Sequence, residues 1–184
     1  MVDEERTMLK VYLQEYGKLK EEQTARIGFR DNLLYVTLGV FGGVLSFAVS
    51  SSDNYYALLI IPWVCLILGW TYLVNDEKIS ALGRYIRLKL VNKIQQSTGD
   101  ADLESIFGWE IVHRSDDRRK RRKVEQLIID EVTFVVSGIV GLIAFWSLAP
   151  QLHWAIQILC WLELALLLVL GAEIFVYADL AKGR

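Results

Sequence analysis

Charge is segregated along this chain. Asp, Glu, Lys and Arg are nearly absent from two broad blocks, roughly residues 32–75 and 132–178, and crowd everything else. A soluble helical domain intersperses charge over every helix surface, whereas a membrane protein separates apolar spans from polar connections. Apolar residues make up 53% of the chain and mean hydropathy is +0.31, so the two blocks read as membrane-embedded. The acidic, polar start MVDEERTMLK lacks the basic and apolar regions of a signal peptide, which makes the first apolar block a retained span.

Each block divides in two. The apolar segments are Asn32–Ser50, Tyr55–Asn75, Val132–Pro150 and His153–Ala178. A hydrocarbon core of ~30 Å takes about 20 helical residues, so each segment is long enough to span it. The fold class expected is therefore all-α: an integral membrane protein with four transmembrane helices arranged as two hairpins, accompanied by cytoplasmic amphipathic helices.

Orientation follows from the cations. All 20 Lys and Arg lie in the N-terminal segment, the central loop or the C-terminal tail, and the connectors Ser51–Asn54 and Gln151–Leu152 carry none. The positive-inside rule then places both termini and the central loop in the cytoplasm. Five regions result. Residues 1–31 form a cytoplasmic N-terminal helix, and 32–75 the first transmembrane hairpin. Residues 76–131 form a cytoplasmic helical loop with a basic cluster, 132–178 the second hairpin and 179–184 a cytoplasmic tail. Tyr55, Tyr56 and Trp154 beside the short connectors, and Tyr35, Tyr72 and Tyr177 near the other interface, suit interfacial anchors.

A shift of 98 residues lays Ala57–Trp63 on Ala155–Trp161, and Gly39 and Gly43 on Ser137 and Gly141. Each of these small pairs is four residues apart, a spacing that lets helix backbones approach closely in lipid. A parallel internal repeat and chance similarity between apolar segments both account for the match.

In the polar regions, Leu9, Tyr12, Leu13, Tyr16 and Leu19 mark one side of the first helix, and Glu22–Arg26 is an i,i+4 pair. Residues 77–96 place Ile79, Leu82, Ile86 and Leu90 at helical spacing, a pattern suited to lying at the membrane surface. Gly99 and Asp100 break that helix, and Asp116 and Asp117 suit the start of the next.

The chain has no HExxH, P-loop, GxSxG or CxxC pattern. Its histidines, His113 and His153, fall on opposite sides of the expected membrane and cannot share a metal. Cys65 and Cys160 lie within spans and read as small apolar packers. No catalytic residue, metal site or cofactor is expected. Pro62, within the second span, frees a backbone carbonyl and suits a kink.

Glu163 is the most unusual residue. It follows Trp154 by nine positions, which at 1.5 Å per residue puts it ~14 Å deep with no cation at that level. An acid there lines a water-filled path, holds a proton, or serves as a protonated interhelical hydrogen-bonding group. Glu173 lies about a turn from the inner interface and can snorkel; the two acids are about 80° apart around the helix and could border one cavity.

The basic run of Arg118, Arg119, Lys120, Arg121, Arg122 and Lys123 has three readings. It holds the loop inside, it binds anionic lipid, or it binds an acidic ligand such as nucleic acid. Aromatic residues are not interleaved within it, so no RNA-stacking platform is indicated and no nucleic acid is expected as a partner.

Across TARIGFRDNLLYVTLG, IPWVCLILGWTYLVNDEKISALGRYIR and FGWEIVHRSDDRRKRRK the chain resembles bacterial multi-pass membrane proteins of about this size. More loosely, its helix-plus-hairpin units resemble the SLATT class of membrane effectors in bacterial conflict systems, from whose two-span unit the second hairpin departs. The resemblance implies a bacterial inner-membrane location and an effector that disrupts the membrane when a sensor releases it. The function expected is a non-enzymatic, homo-oligomeric effector that forms a pore or perturbs the bilayer, in contact with anionic lipids and a cytoplasmic protein partner. The rival expectations are a membrane anchor or scaffold recruiting a cytoplasmic partner, and a small proton- or cation-coupled transporter.

Overall fold

The computed structural model describes residues 2–51, 53–98, 118–149 and 151–178, and among them it is helical without strands. Helix α1 spans Val2–Ala48. A 3-10 turn, Asn54–Leu59, leads into α2, Ile60–Tyr85, which continues through a π turn, Ile86–Leu90, into α3, Val91–Thr98. Helix α4, Arg119–Asp130, passes through a second π turn, Glu131–Val136, into α5, Ser137–Leu148. Helix α6 spans Trp154–Tyr177. The expected break at Gly99–Asp100 and helix start at Asp116–Asp117, together with His113, Pro150 and the tail, lie outside the described residues.

Four helical runs are long and apolar enough to cross a membrane: Arg6–Ala48, Asn54–Thr98, Lys120–Leu148 and Trp154–Tyr177. The first two, at 43 and 45 residues, are about twice the length that a bilayer requires. The helices thus run on past the apolar segments, since no Pro or turn signal interrupts the polar sequence that adjoins them.

The chain divides into two compact units, Met1–Arg30 with Asn75–Lys120, and Asp31–Val74 with Arg121–Arg184. In the first, the less exposed positions of α1 are Leu9, Tyr12, Tyr16, Leu19, Gln23, Arg26 and Arg30, at spacings of three and four, with Glu15 and Lys20 beside them. That is the stripe of a two-helix seam. Its partner stripe carries the buried Ile86, Leu90, Val91 and Ile94. Spacings of three and four keep these residues on one face.

Polar contacts fix the register of this pair. Tyr85 donates to Glu15 at 2.7 Å, Arg30 pairs with Asp76 at 2.8 Å, and the Lys93 ammonium lies 5.5 Å from the Tyr12 ring centroid. The helix over residues 77–96, expected along a membrane surface, has these polar contacts with α1. Leu13, expected on the apolar side of α1, is exposed because the stripe passes through Tyr12 and Tyr16.

In the second unit the core is Leu58, Ile61, Cys65, Leu66, Phe134, Leu142, Phe145, Leu167 and Leu170 with their neighbours. Glycines set its closest approaches. A Cβ on Gly141 would stand 3.0 Å from Ile61, one on Gly138 2.8 Å from Leu167, and one on Gly69 2.7 Å from Leu170. Pro62 falls in the first turn of α2, directly after the 3-10 turn that leads into it. Asn54 closes the preceding turn, donating to the Phe47 carbonyl at 3.3 Å and to the Ser50 hydroxyl at 3.0 Å.

Candidate functional site

The buried stripe of α6 is Cys160, Glu163, Leu167, Leu170, Gly171 and Ile174. Spacings of three and four keep these residues on one face, so the sequence places an acid at a core position of an otherwise apolar seam. Glu163 is 0% exposed, and neither carboxylate oxygen has a hydrogen-bond partner. The Trp63 side chain of α2 is the donor group facing the carboxylate, without completing a hydrogen bond to it.

The surroundings of Glu163 are apolar and tightly packed. Leu167, one turn on, fills the space over Gly138, and Leu170 the space over Gly69. Cys160, one turn back, is fully buried, and Trp146 of α5 packs on Trp161 with ring centroids 5.5 Å apart. No Lys or Arg occurs between Asp31 and Val74 or between Val124 and Tyr177. Such a pocket can hold a neutral acid but offers an anion no counter-charge and no completed hydrogen bond.

Glu173 is half-buried on the same helix and is not brought together with Glu163. The acid drawn close to the α6 backbone is Glu131, whose Oε2 lies 3.1 Å from where a Cβ on Gly171 would stand. The approach of Glu131 to α6 depends on Gly171 having no side chain.

The four small residues singled out by the 98-residue shift have different surroundings. Gly141 is buried against Ile61, and Ser137 is half-buried with its hydroxyl donating to the Val132 carbonyl at 2.8 Å. Gly39 and Gly43 are exposed, and a Cβ on either would meet nothing within 4 Å; Gly42 is the same. The glycines that make the closest contacts, Gly69 and Gly138, were not signalled by the spacing of small pairs.

Arg118, Lys120, Arg121 and Arg122 are exposed at the start of α4, with Lys123 half-buried; the Arg119 side chain lies outside the described residues. Arg121 pairs with Glu125 at 2.7 Å, one turn along the helix. Among the described residues no group of His, Cys, Asp and Glu could hold a metal ion. His153 caps α6, its Nδ1 accepting from the Ala155 amide at 3.3 Å, and both cysteines are free and buried.

No protein family, curated protein or solved structure matches the chain.

Proposed function

We propose that this chain is a non-enzymatic, homo-oligomeric membrane effector that forms a pore or perturbs the bilayer. In this reading the four apolar helices cross a bacterial inner membrane as two hairpins. Both termini and the 76–131 loop face the cytoplasm, where that loop meets anionic lipid and a protein partner. The positive-inside distribution supports the orientation, and the resemblance to SLATT effectors supports the role in bacterial defence.

The observation that carries the reading is the uncovered apolar part of α1. Only 17% of its most apolar window is buried, against 44% for the run that contains α2. Apolar exposure alone would be met by lipid. The same surface also carries Gly39, Gly42 and Gly43, and small residues are what permit helices to associate where no hydrophobic force drives them together. A second copy is the partner available to every molecule of this chain, and closed symmetry is the usual outcome of such self-association.

A membrane anchor recruiting a cytoplasmic partner is the second reading, favoured by the exposed basic start of α4. Regulated expression in a bacterial host separates the two. The effector should arrest growth together with loss of membrane potential, read with a potential-sensitive dye. An anchor expressed to the same level should leave the potential intact.

A further inference from the structure

Glu163 is a fully buried carboxyl group whose two oxygens make no hydrogen bond. Structures rarely tolerate such a group, and a retained one calls for an explanation in function. The groups around it limit its state. On α6 its titratable neighbour is the Cys160 thiol, which interacts with it from one turn away. From α2 comes the uncharged Trp63 indole, and the titratable groups that helix adds to the same core are the Cys65 thiol and the Tyr72 phenol, whose oxygen accepts from Gln126. Helix α5 has no charged residue, and the buried Thr37 hydroxyl of α1 already donates to the Leu33 carbonyl. Glu131 faces Gly171, about two turns along α6 from Glu163. Every charge of the core is thus of one sign, and none can neutralise a carboxylate at Glu163.

We infer that Glu163 is a proton-binding site, occupied while α6 is packed against α2 and α5 and vacated only when α6 parts from them. Vacating it breaks the O–H bond; the proton goes to water and the carboxylate keeps the electron pair. The anion must then reach water itself, because the closed core holds no counter-charge for it and completes no hydrogen bond to it. Proton release and separation of α6 are therefore one event. The sign follows: packing of α6 is stabilised where the acid is protonated and is lost as pH rises. Leu167 and Leu170, seated over Gly138 and Gly69, are the contacts that separation would break. This inference stands on the packed core alone and does not require the protein to permeabilise a bilayer.

Cys160 reports the event, since it is fully buried one turn from Glu163. With Cys65→Ala it is the sole thiol of the 184-residue chain, which is reconstituted in lipid vesicles and treated with a membrane-permeant maleimide. Rates are divided by those of the denatured protein at the same pH, which removes the thiol's own titration. The expected result is a protection factor that falls with rising pH by up to roughly tenfold per pH unit, the slope of a one-proton linkage. With Glu163→Gln, a neutral isostere of the bound state, protection should not change with pH. Equal protection in both proteins at every pH would overturn the inference. Should Glu163→Gln fail to assemble, infrared spectra of the Cys65→Ala protein decide. A protonated-carboxyl band that disappears as pH rises in step with Cys160 exposure supports the site. A band that is absent throughout, or unchanged across the range, overturns it.

Discussion

The Asn75 side chain is bound by Arg26 at both ends: its amide nitrogen donates to the Arg26 carbonyl at 2.7 Å, and its oxygen accepts from the Arg26 guanidinium at 3.3 Å. Asn75 is 6% exposed, so the pair is a buried polar layer within a helix seam. Such a layer sets which residues oppose each other, because any slip leaves the Asn75 side chain without its partner, while Arg26 keeps Glu22. One turn along α1, Arg30 repeats the pattern with Asp76. Asn75→Ala should destabilise the protein by about 1–3 kcal/mol, the usual effect of leaving buried polar groups unpaired. Chemical denaturation in detergent measures it; a change indistinguishable from an exposed control such as Asn92→Ala would contradict the layer's role.

Glycines on α1 and α5 should respond oppositely to the same substitution. Gly141→Ala places a methyl 3.0 Å from the β-branched, fully buried Ile61, and overpacking of this kind costs typically ~1–3 kcal/mol. Gly39→Ala meets open space and should gain up to about 1 kcal/mol of helix propensity in a dissociated protomer. Gly43→Leu adds the test of self-association: it should leave the protomer folded but lower the assembly mass in mild detergent. Unchanged mass would remove this face from the account.

Tyr85 supplies a pH dependence in the other unit. Its hydroxyl donates to Glu15, and that hydrogen bond, reinforced by burial and by the negative charge, lifts the phenol above its ordinary value. The contact therefore stabilises the α1–α2 pair below the free phenol value of about 10 and is lost as pH rises through the higher folded value. A tyrosinate absorbance titration should lose one late-titrating group in Tyr85→Phe. Loss of an early-titrating group would contradict the assignment.

Topology has its own test. Reporters fused after Asp100 and at the C-terminus should give cytoplasmic signals, and one inserted near Ser52 an external signal. A cytoplasmic signal at Ser52 would overturn the positive-inside reading.

The helical class and the four apolar helices were legible because lipid forces charge out of the spans, which shows even in a single sequence. The seam of the first unit was half legible. Leu9, Tyr12, Tyr16 and Leu19 stand out by periodicity, but Gln23, Arg26 and Arg30 occupy the same stripe and look like a solvated face until Asn75 and Asp76 are placed beside them. Glu163 was legible by depth, whereas its lack of hydrogen-bond partners depends on what α2 and α5 present to it. Gly69 and Gly138 were not distinguishable from Gly39 and Gly43, since spacing says which glycines share a face and nothing about whether that face has a neighbour.

Ion flux from sealed vesicles containing the purified protein tests the central claim most directly. Vesicles of anionic lipid should lose a trapped potassium gradient, at a rate that rises more steeply than linearly with protein density, as self-association requires. Gly43→Leu should slow that loss without reducing the amount of protein inserted. Vesicles that hold their gradient with correctly inserted, assembled wild-type protein would contradict the effector account and leave the anchor in its place.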